Sequence, residues 1–236
     1  MVELLQGPLF SLLLTFVCYR LGEWVYKKSH RFPLCHPLIV ALGPLTWVLH
    51  QLAIDFKTYL DYTQLLLFML GPATVALAWP LYKQLNNIGE NWRAILITTV
   101  LGALFALLIT VLLAAWLGAP IEVLSSIAPK SITTPIALEL VQHTGGYIAL
   151  VTAAVAFTGV FGAVVAPPIM DAIGIKDERV RGFTLGLVAH AIGTAKAFEE
   201  SPKAGAFAGL ALSLTGFATA ILLPWLWPTL TLMLGH

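Results

Sequence analysis

The sequence predicts an all-α integral membrane protein with about seven or eight membrane elements. Of the 236 residues, 58% are hydrophobic and only 11% are charged, whereas about 25% are charged in typical soluble domains. The mean hydropathy is +0.87. A soluble domain of this length has no core large enough to bury so much apolar surface. We therefore expect a single membrane domain over residues 1–236.

Charge, cysteine spacing and motif content exclude several classes of function. The formal net charge of +1 gives no basis for a nucleic-acid partner. Cys18 and Cys35 form neither a metal-ligand spacing nor a disulfide framework. HExxH, GxSxG, P-loop and GxGxxG signatures are missing from the sequence. We expect no enzyme activity, no catalytic residue, no metal site and no cofactor.

Seven apolar segments approach the length of about 20 residues that a membrane helix needs. The first contains Arg20 and Glu23 on one helix face, and these charges argue against a signal peptide. The third is interrupted by Gly71-Pro72, and Pro224 is expected to end the last helix early. The segments cover residues 9–26, 37–54, 63–82, 94–117, 147–170, 182–198 and 204–234.

Residues 120–143 form an eighth, less regular segment, interrupted by Pro129, Lys130 and Pro135. Non-helical backbone at membrane depth is tolerated only where protein or a water-filled cavity covers it. We therefore predict a broken or re-entrant element. Basic loops favour the cytoplasmic side, and a re-entrant element places the later loop with Arg179 on that side. A full crossing is the alternative.

Two parts of the chain resemble each other. Thr74 and Thr194 are separated by the same number of residues as Lys83 and Lys203. The repeat-like halves cover roughly residues 37–118 and 120–223. A re-entrant element between them would give the halves opposite orientations, as in the inverted repeats of many secondary transporters.

Three helix breaks are followed by small and hydroxyl-bearing residues. A helix that begins inside a membrane directs free N–H groups and a positive dipole end into a cavity, which forms an anion site. Lys130 and Lys196 would add charge, and a buried lysine needs a partner such as a small carboxylate. The candidate binding residues are Gly71, Pro72, Ala73, Thr74, Lys130, Ser131, Thr133, Thr134, His190, Gly193, Thr194 and Lys196.

Local sequence predicts where these helices begin. Pro72 and Pro135 suit a first turn, where N–H groups have no intrahelical partner. Ser131 and Thr194 are suitable N-caps.

Each candidate also has a structural interpretation. Small and hydroxyl residues in membrane helices mostly mediate close packing. Lys130 and Lys196 would then extend to the interface. His190 would bond to a neighbouring carbonyl rather than contact substrate or carry a proton. Glu139 would be an interfacial charge rather than a proton carrier.

Three motifs, in order, resemble the hallmarks of the LrgB/CidB family. The resemblance covers nearly the whole chain and implies a multi-pass protein of the bacterial inner membrane. It further implies a small LrgA/CidA-type membrane partner, and we expect a homo-oligomer in the bilayer. The motifs are Leu70-Gly71-Pro72-Ala73-Thr74-Val75-Ala76, Pro129-Lys130-Ser131-Ile132-Thr133-Thr134-Pro135 and Ala189-His190-Ala191-Ile192-Gly193-Thr194-Ala195-Lys196.

The resemblance and the residues together lead to two functional hypotheses. The first is a secondary transporter of small carboxylates of the glycolate, glycerate, pyruvate and lactate class, using alternating access at a midplane anion site. The alternative is a holin-like or antiholin-like protein that modulates murein hydrolase activity and cell lysis. A scaffold of that kind needs packing faces but no buried cationic site, so the two lysines favour the transporter.

Overall fold

The structure is a computed structural model that describes residues 7–29, 35–76, 79 and 82–234. Every regular element in these residues is an α-helix, which confirms the all-α class. The chain divides into two compact units, Met1–Ala76 and Leu77–His236.

The described residues of the first unit form four helices. Pro8 and Pro37 each occupy the first position of a helix, where a missing N–H has no energetic cost. Asp55 caps the third helix, because its carboxylate accepts a hydrogen bond from the Thr58 N–H at 3.0 Å. The helices are α1 (Pro8–Lys28), α2 (Pro37–Gln51), α3 (Phe56–Tyr62) and α4 (Gln64–Ala76).

In its described residues, the second unit contains six further helices. Gly118, Gly145 and Gly174 end three of them in the left-handed conformation, a common helix terminator. Ser201 caps the last helix by accepting a hydrogen bond from the Ala204 N–H at 3.1 Å. The helices are α5 (Leu85–Trp116), α6 (Ile121–Ile127), α7 (Thr134–Thr144), α8 (Ile148–Ala172), α9 (Glu178–Glu200) and α10 (Pro202–Met233).

Among the described residues, four helices are long and apolar enough to cross a membrane. They belong to α1, α5, α8 and α10, and a fifth span results if α2 and α3, bent by 107°, are counted together. This is fewer than the seven or eight membrane elements expected. The prediction that Pro224 ends the last helix is wrong, since α10 continues through Pro224 and Pro228. Membrane helices tolerate proline where neighbouring groups satisfy the freed carbonyls.

Residues 121–144 fold back on themselves and are named here the first hairpin. Near its base, the Ser125 and Thr144 hydroxyls are 2.6 Å apart, and Ser126 Oγ accepts from the Tyr147 N–H at 2.7 Å. Helix α7 rises about 15 Å between Thr134 and Thr144. The non-helical residues 128–133 therefore form a tip, and the chain returns towards Ser125. The predicted break in this segment is confirmed.

Helix α9 also folds back and is named here the second hairpin. His190 breaks the helix with φ 40° and ψ −127°. Gly193 packs against the Leu185 carbonyl oxygen, although in a straight helix these residues would be about 12 Å apart. Arg181 Nε lies 2.8 Å from Glu200 Oε2, instead of about 28 Å along a straight helix. Residues 182–198 therefore contain a helix break, as predicted, but the chain reverses there instead of forming a single span.

The two hairpins approach α8 from opposite ends. Tyr147, directly before α8, contacts the base of the first hairpin. Asp171, near the other end of α8, lies 2.5 Å from Arg181 at the base of the second hairpin. The 25 residues of α8 rise about 36 Å, enough to cross a hydrocarbon core of about 30 Å. The tips therefore point towards each other.

Helices α5 and α10 run in the same direction. Ile95 packs with Ala211 at one level, and Leu107 packs with Leu223 farther along. The long spans of the two predicted halves are therefore not oppositely oriented, because the second hairpin adds a reversal that the sequence did not predict. Opposite orientation is found in a different pair of units. The first hairpin and the long helix after it, α8, run in the opposite direction to the second hairpin and the long helix after it, α10.

Candidate functional site

The tip of the first hairpin brings Lys130 into the interior of the second unit. Its neighbours Ala128, Pro129 and Ile132 are buried, and the tip packs against α5, α8 and α10. The Lys130 side chain is half-buried, and its Nζ lies 3.4 Å from Ser131 Oγ. Lys130 forms no ion pair with any carboxylate in the described part of the chain. The tip therefore carries a positive charge that lacks an anionic partner.

His190 forms the tip of the second hairpin, where its ring is buried. Nε2 lies 2.9 Å from the Val155 carbonyl oxygen. A carbonyl only accepts hydrogen bonds, so Nε2 carries the proton and donates. This is the structural interpretation of the histidine. Val155 also packs in the apolar cluster of Ala128 and Ile132 at the tip of the first hairpin, so both tips approach the same part of α8.

The helix that follows the second break begins earlier than predicted. The break is at His190, and the Thr194 hydroxyl donates to the His190 carbonyl at 2.9 Å. Thr194 therefore lies in the first turn, and its predicted N-cap role is wrong. The helix begins at His190 because a buried ring and a close glycine contact, rather than a capping hydroxyl, stabilise the reversal. Gly193 is part of this packing, since a Cβ there would collide with the Leu185 carbonyl.

The helix start in the first hairpin also differs from the prediction. Thr133 precedes α7 with extended backbone, φ −68° and ψ 146°, so the predicted N-cap at Ser131 is wrong by two residues. Pro135 lies in the first turn, as predicted. Ser131, Thr133 and Thr134 are all half-buried. Their hydroxyls and the free N–H groups of the first turn lie beside Lys130 in the sequence and at the same tip.

The predicted helix start around Pro72 is wrong. Helix α4 continues from Gln64 to Ala76 with Pro72 inside it, because the uncharged apolar stretch on both sides supports a continuous helix. Only the helical backbone of Gly71, Ala73 and Thr74 is described, and their side chains lie outside the described residues. This motif belongs to the first unit, whereas the other two motifs belong to the second.

Two further predicted charges lie away from the tips. Lys196 is on the returning arm of the second hairpin, and its Nζ is 2.9 Å from Glu199 Oε2. Lys196 lies about 9 Å along the helix from His190. Its charge is therefore neutralised by Glu199 at a distance from the tip. Glu139 is exposed and pairs with His143 at 3.4 Å, in agreement with an interfacial role.

Sequence reasoning missed the clasp at the base of the second hairpin. Arg181 Nε and Nη2 bind the Glu200 carboxylate at 2.8 and 3.1 Å, and Nη1 binds Asp171 and the Ile175 carbonyl. The Arg181 side chain is only 15% exposed. No local signal indicates this clasp, because Arg181 and Glu200 are far apart in the sequence and meet only through the reversal at His190.

A small cavity opens beside this base. Its volume is about 210 Å³. Asp177 and Arg179 at its rim pair with each other at 2.6 Å, and hydrogen bonds from Arg179 lower the pKa of Asp177 to about 2. The cavity therefore has a charged rim and extends between α5 and the first arm of the second hairpin. Its lining residues are Asn91, Ala94, Ile95, Thr98, Asp177, Arg179, Val180, Phe183, Thr184 and Phe207.

The apolar spans and the opposed hairpins define a multi-pass helical membrane protein. Residues 15–229 match the LrgB-like family, and the chain belongs to this family. The resemblance drawn from the three motifs is thereby confirmed.

Relatives of this chain cover most of its length. The antiholin-like protein LrgB of Bacillus cereus (strain B4264) is 29% identical over 221 residues, which is 94% of this chain and 96% of the relative. The protein of the same name from Bacillus anthracis (strain CDC 684) has the same identity and coverage. A Haemophilus influenzae chain, named only as an uncharacterized protein, is 38% identical over 156 residues, or 66% of this chain and 68% of the relative. No solved structure shows significant similarity.

Proposed function

We propose that this chain is a secondary transporter that carries small carboxylates across the bacterial inner membrane by alternating access. The observation that carries the proposal is Lys130, a half-buried lysine without an ion-pair partner among the described residues, at a hairpin tip that faces a second hairpin. An uncompensated ammonium inside a membrane is costly. A transported carboxylate offsets that cost while it is bound.

The surroundings of Lys130 suit a small anion. The start of α7 directs free N–H groups and a positive dipole end to the tip. Ser131, Thr133 and Thr134 add hydroxyl donors at the same place. One lysine, one helix start and three hydroxyls form a set of donors for a single small carboxylate, which supports the glycolate, glycerate, pyruvate and lactate class.

The opposed hairpins support alternating access. Each hairpin reaches inward from its own end, and each is followed by a long helix of opposite direction. In transporters with inverted repeats, the site opens to one side of the membrane in one conformation and to the other side when the two repeats exchange conformations.

Counterflow into proteoliposomes that hold the purified chain tests the proposal. Labelled glycolate, glycerate, pyruvate and lactate are supplied against an internal unlabelled pool. At least one of them should accumulate with the native chain, and Lys130→Ala should abolish accumulation. Lys196→Ala is the matched control, because Glu199 already neutralises that lysine. Accumulation at the native rate in Lys130→Ala would contradict the proposal.

A second candidate function is an antiholin-like role in controlling murein hydrolases and cell lysis with an LrgA/CidA-type partner. The names of the Bacillus relatives favour this candidate better than they favour transport. A scaffold acts through packing faces and does not require the charge of Lys130. In cells, Lys130→Ala should then retain lysis control, whereas a function that depends on transport would be lost. The partner, a homo-oligomeric state and the inner-membrane location belong to these proposals.

A further inference from the structure

Several hydroxyl groups in the described helices bond to their own backbone. The hydroxyls of Thr15, Thr63, Thr110, Thr152, Thr194 and Ser213 each donate to the carbonyl four residues earlier. Thr99 and Thr215 differ, because their Oγ1 atoms are buried and have no hydrogen-bond partner among the described residues. Ser11 in the first unit is a third example.

A buried hydroxyl without a partner needs an explanation, because nearly all buried polar groups in native proteins are hydrogen-bonded. Thr99 is 2% exposed and Thr215 is 1% exposed. Both lie inside regular helices, so a bond to the carbonyl four residues earlier was available to each. Neither hydroxyl makes that bond.

Thr99 lies between the two hairpins. Ile95, Thr99, Ala103 and Leu107 follow one another in steps of four residues on one face of α5. Ile95 packs in a cluster with the second hairpin, and Leu107 packs in the cluster that contains the tip of the first. Thr99 and Ala103 therefore line the region where the tips approach each other.

Thr215 lies on α10 at a position equivalent to that of Thr99 on α5, between the two hairpins. Ala211, Thr215, Thr219 and Leu223 form a matching face, with Ala211 in the cluster of the second hairpin and Leu223 in that of the first. An independent contact agrees with this position: a Cβ on Gly216, the next residue, would lie 3.0 Å from Ile136 in the first turn of α7.

We infer that Thr99 and Thr215 line the carboxylate site and bind an oxygen on the second carbon of the substrate. This inference rests on the proposed transport function. Lys130 takes the carboxylate, and the two hydroxyls, which each donate and accept, suit a neighbouring hydroxyl or keto oxygen. A site built to hydrogen-bond such a group discriminates against analogues that lack it, because its own polar groups are then left unpaired.

The test compares lactate with propionate, which has the same carbon chain without the second-carbon oxygen. Binding is measured as the ligand-induced thermal shift of the purified chain in detergent, over a range of ligand concentrations. The variants are Thr99→Val and Thr215→Val. Thr110→Val is the matched control on α5, because the Thr110 hydroxyl is bonded to the Ala106 carbonyl at 2.6 Å.

The native chain and Thr110→Val should bind lactate about tenfold more tightly than propionate. Each of the other two variants should lose most of this preference through weaker lactate binding, with propionate binding unchanged. If both Thr99→Val and Thr215→Val keep the native preference for lactate over propionate, the inference is overturned and the proposed transport function is not. Equal binding of the two acids by the native chain would have the same meaning. Binding of neither acid by the native chain would overturn the proposed function and this inference together.

Misfolding is distinguishable from loss of specificity. Replacing an unpartnered buried hydroxyl by a methyl group of similar size is neutral or stabilising. Thr99→Val and Thr215→Val should therefore unfold at the native temperature or above it in the absence of ligand. A lowered unfolding temperature in both would show that the hydroxyls stabilise the fold and would overturn the inference.

Discussion

The imidazole Nε2 of His190 donates a hydrogen bond to the carbonyl oxygen of Val155 over 2.9 Å. This bond joins the tip of the second hairpin to α8, the helix that both hairpins contact. It also accompanies a positive φ of 40° at His190, a conformation that costs a non-glycine residue about 1–3 kcal/mol. The surrounding contacts must therefore maintain the reversal.

His190→Ala should destabilise the second unit, because the strained backbone remains while the ring and its hydrogen bond are removed. We expect a loss of about 1–3 kcal/mol in the free energy of unfolding, measured by thermal denaturation in detergent. His190→Gly should recover part of this loss, since glycine adopts positive φ readily. His143→Ala, an exposed histidine on α7, is the control and should have little effect. Native stability in His190→Ala would show that the bond does not maintain the reversal.

Gly159→Ala should disturb the hydrogen bond between His190 and Val155 from the α8 side. A Cβ at Gly159 would lie 2.5 Å from His190 Cε1, so the ring would have to move away from Val155. Overpacking of this kind costs about 1–3 kcal/mol, and unfolding should occur at a lower temperature. Gly209→Ala in α10 is the matched control, because no atom lies within 4 Å of its added Cβ. Removing a helical glycine there should leave stability unchanged or raise it.

Arg181→Gln should open the base of the second hairpin. The substitution removes charge-assisted hydrogen bonds to Glu200 and Asp171, each worth about 1.5–3 kcal/mol. Hydrogen exchange of residues 191–200 should become faster. Arg179→Gln, whose pairing with Asp177 is more exposed, should leave the exchange of this arm at the native rate. Unchanged exchange in Arg181→Gln would mean that packing alone closes the hairpin.

Cysteine labelling tests the re-entrant arrangement in a background in which Cys18 and Cys35 are replaced by serine. Cysteines at Ala119 and Gly145, on the two sides of the first hairpin, should react with a membrane-impermeant reagent from the same side. Cysteines at Lys176 and Ser201 should react together from the opposite side. Labelling of Ala119 and Gly145 from different sides would show that residues 121–144 cross the membrane, and the opposed hairpins would then be excluded.

Some properties of this chain follow from its sequence because they depend on composition and local chemistry. An apolar fraction of 58% requires burial in lipid, whatever the topology. Pro129, Lys130 and Pro135 together interrupt a weakly apolar segment, so the break in the first hairpin was predictable. The motifs around Pro72, Lys130 and His190 were also sufficient for the family, which the match over residues 15–229 confirms.

Other properties depend on contacts between residues far apart in the sequence. Residues 182–198 contain no proline, and only packing against Val155, Gly159 and Leu185 shows that the chain reverses at His190. Proline does not break α4 or α10. These helices continue through it because their surroundings support them. The hydroxyls of Thr99 and Thr110 are alike in sequence. Only the tertiary structure distinguishes them, since the neighbours of each side chain decide whether its hydroxyl bonds to its own helix, as in Thr110, or is buried without a partner among the described residues, as in Thr99.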